Sequence, residues 1–154
     1  MIYTVNTKKA MKLCFEAHKE QLDKSGMPYV FHPFHVAEQM DSEATVITAL
    51  LHDVVEDTKT TLDDLRREGF SEDVIAALAL LTHSKATPYM DYIAAIANNP
   101  IARTVKIADL KHNMDTTRLD VIDEKTERRL EKYHKALAIL ESTNDDMEKK
   151  EHQV

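Results

Sequence analysis

The stretch Leu51-His52-Asp53-Val54-Val55-Glu56-Asp57-Thr58 sets one imidazole and three carboxylates inside an apolar segment. On a helix turning about 100° per residue, Glu56, Asp53 and Asp57 lie at about 40°, 100° and 140° from His52. Ile47, Leu50, Leu51, Val54 and Val55 take up the opposite arc. A solvated acidic face accounts for the carboxylates alone, but less well for a His-Asp pair beside Leu51 and Val54. A second stretch, Val105-Lys106-Ile107-Ala108-Asp109-Leu110-Lys111-His112-Asn113-Met114, places Asp109 and Asn113 one helical turn apart, with Lys106 and Thr116 extending the stripe. A carboxylate in so apolar a setting is costly unless it is paired or metal-bound, and an ion pair with Lys or Arg is the plainer alternative. The third stretch is Pro28-Tyr29-Val30-Phe31-His32-Pro33. Its His32, taken alone, is more often a structural residue than a ligand. His35 reads as a supporting or surface residue and His18 as a packing one, while His83, His112, His134 and His152 carry no spacing signal.

Taken together, His32, His52, Asp53 and Asp109 offer two imidazoles and two carboxylates. That set suits a divalent ion such as Mn²⁺, Fe²⁺ or Zn²⁺, with positions left for water and a phosphate oxygen. Such an ion lowers the pKa of its water toward ~7 and neutralises phosphoryl charge. Glu56 is then placed as general base or orienter of that water, with Asp57 assisting.

These side chains must be positioned by helices. Gly and Pro are scarce, at 2 and 4 residues, whereas strands joined by tight turns need more of both. The 3.6-residue apolar period predicts a first helix capped by Asn6 or Thr7 and running to about Leu22. A break at Lys24-Ser25-Gly26-Met27-Pro28 follows. A short helix runs from His32-Pro33 to about Met40, and another, capped by Asp41 or Ser42, covers about 43–56. Further helices are expected from Thr60-Thr61 to Gly69, from Ser71 to Thr82, from Pro88 to about Asn98 and from Pro100 to about Met114. A last helix covers about 123–141, with Leu130, Tyr133, Leu137 and Leu140 facing the core. The expectation is an all-α bundle of about seven to nine helices in one domain, residues 1–143, followed by a polar tail, 144–154, that frays.

Charged residues at 31% and hydrophobic ones at 43% describe a folded soluble chain and not a disordered one. The net charge of −7 argues against a nucleic acid polymer as partner. It permits a small phosphorylated nucleotide, because a bound divalent ion inverts the local field. The single Cys14 makes no internal disulfide and reads as a small core residue. No apolar run approaches the ~18 residues of a membrane span, and the N-terminus lacks the pattern of a signal peptide. No membrane partner and a cytoplasmic location are therefore expected, with a homo-oligomer left open.

The ordered set His32, His52-Asp53 and Asp109 resembles the HD superfamily of metal-dependent phosphohydrolases. Three longer strings are more specific: Gly26-x-Pro28-Tyr29-x-x-His32-Pro33-x-x-Val36-Ala37, His52-Asp53-Val54-Val55-Glu56-Asp57-Thr58, and Val105-Lys106-x-Ala108-Asp109-x-x-His112-Asn113-Met114. They are similar to the hydrolase domain of RelA/SpoT proteins and the stand-alone small alarmone hydrolases, over roughly residues 8 to 118. The resemblance implies an all-helical fold and Mn²⁺-dependent removal of the 3′-pyrophosphate from guanosine tetra- or pentaphosphate. It also implies that His32, His52, Asp53 and Asp109 hold the metal, that Glu56 and Asp57 activate water, and that Lys24, Ser25, Asn113 and Thr116 contact the nucleotide. Three positions depart from the family pattern: Asp23, Leu110 and Asp115 stand where basic residues are usual. Arg suits phosphate and an acid repels it, so these departures bear on the substrate and not on the metal ligands. The alternatives are a phosphatase of the same kind for a different nucleotide, or a non-catalytic nucleotide sensor. The intact Glu56-Asp57 pair speaks against the sensor.

Overall fold

The computed structural model describes the backbone of residues 1–151 and the side chains of residues 1–143. Among these the chain is all-α: α1 (Val5–His18), α2 (Phe31–Glu38), α3 (Glu43–Leu51), α4 (Val54–Asp57), α5 (Leu62–Arg67), α6 (Glu72–Leu81), α7 (Tyr89–Ala97), α8 (Pro100–Asn113) and α9 (Glu124–Glu151), with a 3₁₀ turn at Thr116–Arg118. An isolated bridge between Leu22 and Pro28 is the one extended pairing among the described residues.

The bundle is built around α3. Every residue from Thr45 to Leu51 is buried, because α1, α2, α6 and α8 all pack on it. A helix apolar on all sides is stable only in such a setting. Ser42 starts it: the Ser42 Oγ accepts from the Thr45 N–H, and the Thr45 Oγ1 accepts from the Ser42 N–H, so two orphan donors are satisfied reciprocally. In α8, Asn99 Oδ1 accepts from the Ala102 N–H at 2.9 Å and Pro100 follows at the first position, where its missing N–H costs nothing. The core includes Leu50, Leu78, Ile93, Ile96, Leu110 and Leu140, all fully buried, each contributing roughly 1.5–3 kcal/mol by leaving water. Cys14 lies in the same core, as expected.

Several boundaries differ from those predicted. The cap of α1 is Thr4, which forms a capping box with Thr7. The helix also ends at His18, because the chain turns back there: the Tyr29 N–H donates to the Gln21 carbonyl at 2.8 Å. The helix expected over 43–56 is two helices, broken at His52-Asp53. Asp53 sits at φ −103°, ψ −4°, in the sparsely populated bridge region where active-site residues are often found. Gly69 ends the α5 unit as expected, at φ 89°, a conformation that side-chain-bearing residues rarely adopt. The final helix does not stop near 141 but continues to Glu151. Residues 142–151 contain no Gly or Pro, and their Glu, Lys and Met residues are good helix formers. Of the tail expected to fray, residues 152–154 lie outside the described residues.

Candidate metal centre and substrate cavity

Three elements separated in sequence meet at the middle of the bundle. α2 supplies His32, the C-terminal cap of α3 supplies His52, and α8 supplies Asp109; all three are buried. Their ligand atoms lie within 4.8 Å of one another. His32 Nε2 is 3.0 Å from Asp109 Oδ1, and His52 Nε2 is 3.7 Å from the same oxygen. The helix break at His52-Asp53 brings Asp53 Oδ2 to 3.0 Å from His52 Nε2. The hydroxyl of Tyr29 donates to that Asp53 oxygen.

The residues present fit a divalent cation. His52 Nδ1 lies 2.6 Å from the Ala49 carbonyl, which can only accept, so Nδ1 carries a proton. Nε2 faces the oxygens of Asp53 and Asp109, buried and without a hydrogen-bond partner. Three electron-rich atoms turned toward one another need a positive charge between them, either a proton or a metal ion. The electrostatics say the same. Burial opposes charging of His52, yet the two carboxylates outweigh it and hold its pKa well above the ordinary imidazole value. Burial likewise opposes ionisation of Asp109, but Lys106, His32 and His52 keep it well below the usual carboxylate range. Asp53 is pulled down to about 2, with His52 overcoming burial.

The ion-pair alternative for Asp109 is also realised, on its other oxygen. Lys106 Nζ donates to Asp109 Oδ2 at 2.7 Å, while Asn113 Nδ2 donates to Oδ1 at 2.7 Å. Lys106 thus neutralises one side of the carboxylate and leaves the other directed at the imidazoles. Glu56 and Asp57, on α4, are both exposed. Glu56 accepts the His83 backbone N–H at 2.8 Å. Desolvation raises its pKa above the ordinary carboxylate value against that hydrogen bond, with Asp53 and Asp57 adding to the rise. Asp57 Oδ2 accepts from Gln21 Nε2 at 3.1 Å.

Beside the cluster lies a cavity of about 250 Å³ whose wall includes His32, Lys24, Ser25, Asn113, Arg118 and Arg129. Lys24, Ser25 and Asn113 are among the nucleotide contacts that the resemblance implies. Thr116 does not line this cavity; it begins the 3₁₀ turn, its carbonyl accepting from the Leu119 N–H. Arg129, on α9, joins the cavity wall although a lone Arg on an amphipathic helix gives no local signal in the sequence. Burial lowers the Lys24 pKa, and the neighbouring Arg129 and Lys125 lower it further, so cations crowd this wall. The unusual acids have local work. Asp23 Oδ1 accepts the Ser25 and Met27 N–H groups at 2.8 and 3.0 Å, which shapes the Lys24-Ser25 turn. Asp115 Oδ1 accepts from the Thr117 N–H at 3.0 Å and caps the 3₁₀ turn. Leu110 is wholly in the core. Lys111 pairs with Glu141 at 2.8 Å and does not line the cavity.

A family model described as the HD domain matches residues 10–142. The chain is 35% identical over 140 residues to a GTP pyrophosphokinase of Myxococcus xanthus, covering 80% of this chain and 18% of that protein. Against a guanosine-3′,5′-bis(diphosphate) 3′-pyrophosphohydrolase of Aquifex aeolicus it is 36% identical over 121 residues, covering 70% and 17%. A mouse protein with that same activity name, MESH1, is 31% identical over 153 residues, covering 87% of this chain and 85% of its own. The chain therefore spans less than a fifth of the two bacterial relatives and most of the mouse one. A solved structure of a metazoan ortholog of SpoT, described as hydrolysing ppGpp, superposes with a TM-score of 0.74 at 21% identity, over 100% of this chain and 99% of that one. At that identity the likeness is one of fold. No helix among the described residues is long and apolar enough to cross a membrane.

Proposed function

Because the chain belongs to the HD domain family, we propose that it is a metal-dependent phosphohydrolase that removes the 3′-pyrophosphate from guanosine tetra- or pentaphosphate, with Mn²⁺ as its ion. The observation that carries this reading is the buried His32–His52–Asp109 cluster beside a cavity whose wall carries Lys24, Arg118 and Arg129 as well as Asp23 and Asp115. His32, His52, Asp53 and Asp109 would hold the ion. When bound, it supplies Lewis acidity toward water and toward phosphoryl oxygens.

The chain's own groups do the rest. Glu56 is held by the His83 N–H, and its raised pKa makes it a better proton acceptor than an ordinary carboxylate. It takes the proton from the attacking water as the water oxygen bonds to phosphorus. The bond from phosphorus to the ribose 3′-oxygen breaks, that oxygen takes up a proton from solvent, and pyrophosphate leaves. Asp57 orients the water. Lys24, Arg118 and Arg129 meet phosphate oxygens, and Asn113 and Ser25 line the nucleotide's path. Thr116 would contact the nucleotide only from the rim.

A second reading is supported by Asp23, Leu110 and Asp115: the same chemistry on a different nucleotide, releasing orthophosphate. The Mn²⁺-reconstituted protein should be given a panel of phosphorylated nucleotides, with pyrophosphate and orthophosphate resolved separately. Pyrophosphate from guanosine 3′-pyrophosphates is the expected result. Orthophosphate from other nucleotides supports the second reading, and tight binding without turnover under any divalent ion makes the chain a sensor. Glu56→Gln should retain metal and slow turnover by at least ~10²-fold; an unchanged rate removes Glu56 from the role of base.

A further inference from the structure

His112 carries no spacing signal in the sequence, yet it makes one of the most constrained contacts in the molecule. Its Nδ1 lies 2.7 Å from Nδ1 of His32. The two ring planes are 9° apart with centroids separated by 5.0 Å. That separation equals the N···N distance plus about one ring radius at each end, so the rings are joined edge to edge in a common plane. This is the geometry of an in-plane N–H···N hydrogen bond, not of face-to-face stacking. His35 covers the face of His112, with centroids 4.0 Å apart and planes at 22°. The Arg118 guanidinium donates to the His112 backbone carbonyl at 2.8 Å. The ring itself is held at its edge by His32 and on its face by His35.

One of the two imidazoles must carry the proton between them. For His32 to bind an ion through the Nε2 lone pair beside Asp109 and His52, its proton must be on Nδ1. With the two Nδ1 atoms 2.7 Å apart, His32 Nδ1–H then donates and His112 Nδ1 accepts, which leaves the proton of His112 on Nε2. An imidazole accepting from a metal-binding imidazole takes the place that a carboxylate or a backbone carbonyl more commonly fills.

We propose that His112 is a positioning residue for the metal centre, accepting the His32 Nδ1–H and so keeping the Nε2 lone pair of His32 turned toward Asp109 and His52. This rests on the metal-binding reading above. Outer partners of this type change metal affinity by about 10–100-fold.

The test compares His112→Leu with His112→Asn. Leucine keeps bulk and removes the acceptor, whereas the Asn amide oxygen sits where Nδ1 of histidine sits. Mn²⁺ affinity is measured by titration calorimetry, and the melting temperature of each metal-free protein serves as the structural reference. His112→Leu should bind Mn²⁺ about 10–100-fold more weakly, and His112→Asn should recover most of that loss, although both variants lose the His35 contact and melt similarly without metal. Equal weakening in both variants would mean that packing, not the acceptor, matters, and wild-type affinity in His112→Leu would also overturn the proposal. If the wild-type protein binds no divalent ion, the metal-binding reading falls and this proposal falls with it. A measurement independent of any variant is the long-range ¹H–¹⁵N spectrum of the Zn²⁺-loaded wild-type protein. It should find the His32 proton on Nδ1; a proton on Nε2 refutes the assignment.

Discussion

Replacing Lys106 with Met tests whether the centre is built around a carboxylate whose charge is neutralised from behind. Met keeps most of the aliphatic stem and removes only the cation. Lys106 Nζ lies 2.7 Å from Asp109 Oδ2, and the two side chains are 14% and 5% exposed. With an effective dielectric constant of about 20, two unit charges at that distance attract by about 6 kcal/mol, and much of this offsets the cost of desolvating them. Removing one partner of a buried pair costs about 3–5 kcal/mol, because the other charge is left uncompensated. Asp109 retains the Asn113 amide at 2.7 Å and the two imidazoles, which favours the lower end, about 3 kcal/mol. For a chain of this length that lowers the melting temperature by about 6–12 °C. Thermal and urea unfolding of the metal-free protein measure it. Asp109→Asn in the Lys106→Met background should cost less than the two single changes added, because no orphaned charge then remains. Saturating Mn²⁺ should shrink the Lys106→Met deficit, since a second cation then faces the same carboxylate. A metal-free Lys106→Met protein within about 0.5 kcal/mol of wild type, or strict additivity in the double variant, would refute the reasoning.

Three further outcomes follow from the same geometry. The raised His52 pKa contributes stability to the metal-free protein that is complete below its unfolded value of about 6.5 and is lost as pH rises through the folded value. The lowered Asp53 pKa contributes stability above about 3.9 that is lost as pH falls toward about 2. Since a metal ion competes with the His52 proton, the gain in melting temperature on adding Mn²⁺ should grow from about pH 6 to about pH 8; a gain that shrinks over that range would contradict the assignment. Ser42→Ala removes the cap of α3 and should cost about 1 kcal/mol, read as a fall of about 2–4 °C in melting temperature, and no measurable fall would discount the capping box. Burial, with Asp53 adding, pushes the Cys14 thiol up to about 12, so in the native protein at pH 8 it should react with a thiol reagent at least ~10²-fold more slowly than in denaturant. Rapid stoichiometric labelling of the native protein would mean that α1 opens readily.

The residue types that make the centre are legible in the chain itself. His52-Asp53 and Asp109 stand out because ionisable groups inside apolar helical stretches need compensation, and apolar periodicity with a shortage of Gly and Pro indicates an all-helical fold. What periodicity cannot register is a local departure from it. The break at His52-Asp53 is invisible to a 3.6-residue repeat, because the contacts that accompany it join Asp53 to Tyr29 on a distant segment. Pairing of Lys106 with Asp109 is suggested by their spacing, but the division of labour between the two carboxylate oxygens depends on where α2 and α3 place their imidazoles. The role of His112 and the arrival of Arg129 at the cavity are matters of tertiary structure alone. Each is fixed by one helix packing against another distant in sequence, so the partner that gives the side chain its meaning lies outside any local window.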